Sequence, residues 1–165
     1  MTPSQKTLSL SDQILTPERT PAVNAQFVRI VEERIRKSPG LKGMALRTAV
    51  ATLTASRPDI LSRAVTSLLP GFIDALEPLY ADYHKSHPAD ARAGHGFGDY
   101  LNSRRDDAAR ALMSTADKRS AGASNSVYQG FYNRLRNTIA READALVPPL
   151  AKCLDAELAG NPAAV

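Results

Sequence analysis

From Ile60 to Tyr83 apolar side chains return every three or four residues: Ile60, Leu61, Ala64, Val65, Leu68, Leu69, Phe72, Ile73, Leu76, Leu79, Tyr80 and Tyr83. That spacing is the helical repeat, and the stripe is broad enough to be buried over much of the circumference. A strand cannot use it, because a period of two would scatter these residues over both faces. The pattern runs straight through Pro70 and Pro78. An interior proline costs about 3 kcal/mol and removes a backbone donor, so a kink or a restart is expected near Pro70.

The other segments repeat the theme. Thr20-Pro21 reads as a helix start, with Phe27, Ile30, Val31 and Ile35 on one face until Pro39-Gly40 stops it. A helix over 42–55 is predicted to turn Leu46, Ala49, Val50 and Leu53 inward, and Ser56 with Asp59 reads as the next cap. Helical order resumes at 97, with Ser103 and Asp106 as a cap pair, Leu112, Met113 and Ala116 inward, and Gly122 as the end. Val127, Tyr128, Phe131, Leu135 and Ile139 make a last stripe, continued by Leu146, Val147, Leu150 and Leu154 past Pro148-Pro149. Nothing alternates as a strand does. The expectation is an all-α fold: a single helical bundle of about six helices over 21–160, two of them kinked at Pro70 and Pro148. A short flexible segment, 1–20, with a short turn near Ser11 to Leu15, precedes it, and a polar loop at 84–98 divides its halves.

Those halves carry a faint echo. "SLLPGFIDALEP" aligns on "ALVPPLAKCLDA", so that Arg63 meets Arg141, Leu68 meets Leu146, Pro70 meets Pro148 and Leu76 meets Leu154. Either a pseudo-twofold internal duplication or the shared helical period alone accounts for it.

Composition narrows the function classes. Hydrophobic residues are 43% and charged residues 23%, ordinary for a globular chain, so wholesale disorder is not expected. One cysteine excludes an internal disulfide and fits a reducing, cytoplasmic setting, and no apolar run approaches a membrane span. The net charge of +4 invites a nucleic-acid reading. Interleaving of Arg34, Arg36 and Lys37 with Glu32 and Glu33, and of Arg104 and Arg105 with Asp106 and Asp107, argues instead for solvated helix faces.

All three histidines, His84, His87 and His95, fall within "DYHKSHPADARAGHGFGDYL", beside Asp82, Asp90 and Asp99. Three histidines and a carboxylate would satisfy a zinc ion by count. Pro88, Gly94 and Gly96 among them favour a polar connector, so no metal or other cofactor is expected. "GHGFG" lacks the preceding strand that a phosphate-cradling loop needs. Cys153, set between Leu150 and Leu154, reads as a buried hydrophobe rather than a nucleophile. An apolar crevice between the kinked halves, lined by Leu68, Phe72, Leu76, Tyr128, Phe131 and Leu146, would hold an apolar small molecule.

The stretch 38–83, with its glycine-flanked start at Gly40–Gly43 and its "LLPGFIDALEP" segment, resembles a family of small bacterial proteins classed as a domain of unknown function. "FGDYL" at 97–101, "ALMSTADKRSA" at 111–121 and "VYQGFYNRLR" with "ALVPPL" extend the likeness from about Thr7 to Leu158. The resemblance implies no activity, substrate or catalytic residue. The histidine-bearing stretch 84–95 departs from the family's pattern. With no nucleophile, base and orienting group in sight, the expected role is non-enzymatic: a protein-association module, acting on a partner or on itself. Carriage of an apolar small molecule is the alternative.

Overall fold

The structure, a computed structural model, describes residues 9–87 and 96–160. Among them are seven helices and no strand: α1 (Leu10–Ile14), α2 (Thr20–Lys37), α3 (Gly40–Ser56), α4 (Ile60–Ser86), α5 (Phe97–Ser103), α6 (Arg105–Ala121) and α7 (Ser126–Leu158). The all-α expectation holds, with one helix more. At 27 and 33 residues, α4 and α7 span about 40 and 50 Å. Each of the five shorter helices packs against both of them. The core therefore lies where Leu69, Phe72, Ile73 and Leu76 of α4 face the same interior as Val147, Leu150, Ala151 and Leu154 of α7. No helix among the described residues is long and apolar enough to cross a membrane.

Neither proline pair ends its helix, so the restart expected at Pro70 does not occur. Pro70 and Pro78 are exposed, and the carbonyls they leave without an amide partner belong to Thr66 and Asp74, which are exposed as well. Water can satisfy both groups. At Pro148 the freed carbonyl is that of Asp144. Arg105 Nε donates to it at 2.9 Å, while the same guanidinium pairs with the Asp144 carboxylate at 3.0 Å. The first residue of α6 thus repairs the ladder of α7.

The extra helix is α1, inside the segment expected to be a flexible lead-in. Leu10 and Ile14 are fully buried, and the amides of Leu10 and Ser11 donate to the Glu77 carboxylate at 3.1 and 2.8 Å. A side chain on α4 so caps a helix far upstream. The polar connector is also shorter than expected, because α4 carries His84 within its last turn and α5 begins at Phe97. Three cap assignments shift. Thr20 is the first residue of α2 rather than its cap, Ser56 ends α3, and Ser103 ends α5 with its hydroxyl donating to the Tyr100 carbonyl.

Candidate functional site

Most of the polar side chains in the motif-like segments join one helix to another. Glu142 of α7 pairs with Arg34 of α2 and accepts from the Ser38 hydroxyl at 2.7 Å. Ser38 itself is buried, and Arg47 of α3 donates to its carbonyl. Gly43 lies against that turn so closely that a Cβ would fall 2.9 Å from Ser38 Oγ and nearer still to the carbonyl. Asp117 of α6 accepts from Tyr132 Oη at 2.8 Å and from two nitrogens of Arg136 at 2.8 and 2.7 Å. Those hydrogen bonds from Arg136 hold the Asp117 carboxyl below the usual aspartate range.

Gly98 of "GHGFG" has a comparable purpose. Asp155 of α7 accepts from the Gly98 amide at 2.6 Å, capping α5 from a neighbouring helix. Burial raises the Asp155 carboxyl above its ordinary value, against the lowering pull of the Gly98 amide, and the Asp99 charge adds to the rise. A carboxyl with a raised folded pKa holds its proton more tightly when native than when unfolded, so protonation favours folding. The stability of the wild type relative to Asp155→Asn, which keeps an acceptor for Gly98, should therefore increase as pH falls from about 7 to about 4. Denaturant unfolding at the two pH values measures this. A gap that stays constant or moves the other way contradicts the assignment.

The sequence-derived candidates separate. Phe72 and Leu76 are in the core and Leu146 packs against it. Leu68 lines a groove between α4 and α6 with Thr115 and Lys118. Tyr128 lies in a cleft with Arg57, Arg119 and Asn125, and Phe131 in another with Ala49, Leu53 and Val127. These clefts do not bring the six residues into one crevice.

His84 and His87 pack together on the aromatic rings at the end of α4. His84 meets the Tyr80 ring edge-on at 4.4 Å, and His87 stacks on Tyr83 at 5.2 Å, within an aromatic cluster completed by Phe97 and Tyr100. His95 lies outside the described residues, among which no group of three His, Cys, Asp or Glu is placed to hold a metal. Cys153 is buried, as expected, and burial together with the Glu157 charge pushes its thiol up to about 12. A thiol so disposed is a poor nucleophile.

One surface remains, on residues that no apolar stripe marks as exposed. Among the described residues the exposed large apolar side chains are Leu41 at 81%, Met44 at 54% and Val127 at 66%. Two are on α3 and the third opens α7. Of α3 only Gly43 and Leu46 are buried, whereas Leu41, Met44, Ala45, Thr48, Ala51 and Thr52 share an outward, uncharged face. Along its edge, Ala49, Thr52 and Leu53 form an open cleft with Val127, Phe131 and Arg134, of about 460 Å³. The sequence did hold a clue, since 40–56 contains two charges in seventeen residues.

No curated protein and no solved structure matches the chain. A family model described as "Family of unknown function (DUF6918)" matches residues 10–158, from the first residue of α1 to the last of α7. The clamps and the full set of helices all fall within that match, and the chain belongs to this family of unknown function.

Proposed function

We propose that the chain is a non-enzymatic module that works by protein association, through the outward face of α3 and the start of α7. The observation that carries this reading is the exposure of Leu41 and Met44 on one uncharged face of α3, with Val127 exposed in the cleft between α3 and α7. Single exposed apolar residues need no explanation, but an uncharged helix face beside an apolar-lined cleft suits association. Four carboxylates, those of Glu77, Glu142, Asp117 and Asp155, are engaged in interhelix clamps. The cleft is too open to enclose a small molecule as carrier pockets do.

The double variant Leu41→Glu with Met44→Glu tests the reading, because both side chains are exposed and the fold should tolerate the change. The wild type is expected either to gain mass with concentration by light scattering or to retain a partner from source-cell lysate. The variant should lose whichever is seen while keeping its circular dichroism spectrum. Identical behaviour of the two proteins in both assays would refute the proposal.

A further inference from the structure

The charges of the chain are unevenly shared. Residues 38–58 contain Lys42, Arg47 and Arg57, residues 118–141 contain Lys118, Arg119, Arg134, Arg136 and Arg141, and neither segment has an aspartate or glutamate. The whole chain has 21 Lys and Arg against 17 Asp and Glu, so the remainder holds thirteen cations and seventeen carboxylates, a net of −4. The fold brings the two basic segments together. α3 packs on α7, and Arg57 and Arg119 line one cleft with Tyr128 next to the cleft of Leu53, Val127, Phe131 and Arg134. Two nearby acids are already engaged, Asp59 with Arg63 and Asp117 with Arg136. Lys42, Arg57, Arg134 and Arg141 make no ion pair among the described residues.

We infer that the α3–α7 face binds an amphipathic helix of a partner protein, apolar along its inner face and rich in Asp and Glu on its flanks. This rests on the association reading above and adds the chemistry of the occupant. Arg134 is the one charged residue in the lining of the cleft, and Leu41 and Met44 lie outside it on the outward face of α3, so that a helix laid along α3 would cover both. Lys42 and Arg47 lie on the flanks of that face and Arg134 lines the cleft. Acidic flanks on the occupant answer these cations. A second copy using the same face would set cation against cation. A bilayer surface calls for bulky apolar anchors, whereas most of the α3 face is Ala and Thr. A nucleic acid would leave the apolar lining of the cleft and the exposed Leu41 and Met44 without a partner.

The test is a display library of helices about five turns long, with a fixed Leu/Ala stripe and random flanking positions, selected on the full chain. Enrichment of Asp and Glu on the flanks is expected. A selected peptide should shift the NMR signals of α3 and the first half of α7, and bind the Leu41→Glu with Met44→Glu variant about tenfold more weakly or worse. Lys42→Glu with Arg134→Glu should weaken the same peptide by a similar factor, and a Lys-flanked version of the peptide should regain affinity for that variant. No charge bias, basic enrichment, or signal shifts elsewhere would overturn the inference. Saturable binding to phosphatidylcholine–phosphatidylserine vesicles or to a short duplex DNA through α3, with no helix selected, would overturn it in favour of those surfaces. If no helix is selected but an association sensitive to Leu41→Glu with Met44→Glu persists, the acidic-helix inference falls and the association reading stands. If both are absent, both fall.

Discussion

Gly98→Ala is expected to destabilise the protein by about 3 kcal/mol or more, the upper end for forcing extra atoms into a close-packed contact. A Cβ at this position would run into the Asp155 carboxylate and come 2.7 Å from the Ala151 carbonyl oxygen. Neither obstacle can retreat, since Ala151 is in the middle of α7 and the Asp155 carboxylate is held by the very amide that Gly98 provides. The added methyl must therefore lever α5 away from α7, and with it Phe97 and Leu101, both 2% exposed. Urea unfolding of the variant measures the loss, and Gly130→Ala is the control, because its Cβ would meet nothing within 4 Å. Equal stability of the two variants would contradict the packing described for α5.

The second large effect is expected at Glu142. Its carboxylate sits between Arg34 and the buried Ser38 hydroxyl, with the Glu142 side chain 15% exposed. Glu142→Ala leaves the hydroxyl without its acceptor and the guanidinium, itself largely covered, without its counter-charge. Stranding such groups costs about 2–3 kcal/mol once partial hydration of the arginine is allowed for. Glu142→Gln keeps an acceptor for Ser38 and loses only the charge, so its cost should be about half as large. If both replacements were equally harmful, size and packing rather than hydrogen bonding would account for the position. Thermal unfolding with a two-state check distinguishes the cases.

These two sites also mark where the sequence is informative and where it is not. The stripe of α4 is a local signal, so Val65, Leu69, Phe72, Ile73 and Leu76 can be assigned to the interior from spacing alone, and they are there. Stripes become ambiguous where contrast fades. In α3 the mix of Ala, Thr and Val has almost no polar face to oppose, and Ala49, Val50 and Leu53 prove only partly buried. At the start of α7 the predicted stripe is turned from the actual one. Leu135 is buried as its spacing predicts, but Tyr132, outside the stripe, is buried with its hydroxyl on Asp117, while Val127 faces water. The clamps had no local signature at all. Glu77 and Leu10 are 67 positions apart, Asp155 and Gly98 57, Glu142 and Ser38 104. A carboxylate's partner at such separations is chosen by the fold, and only the fold reveals it. The basic segments are different: their lack of acids can be counted in the sequence, but only the packing of α3 on α7 makes them one surface.

The way α1 is held has a kinetic consequence. Five residues are too few to sustain a helix in water, so α1 exists only while its amides rest on Glu77 and its two apolar side chains remain in the core. In synthesis Glu77 follows Leu10 by some sixty-seven residues, and until then only the Ser9 side chain, which accepts from the Asp12 amide, caps α1. One such cap does not sustain five residues in water, so the segment is expected to order only once α4 is in place. Leu10 and Ile14 then act as a removable plug, setting how often water reaches the side of the core beneath them.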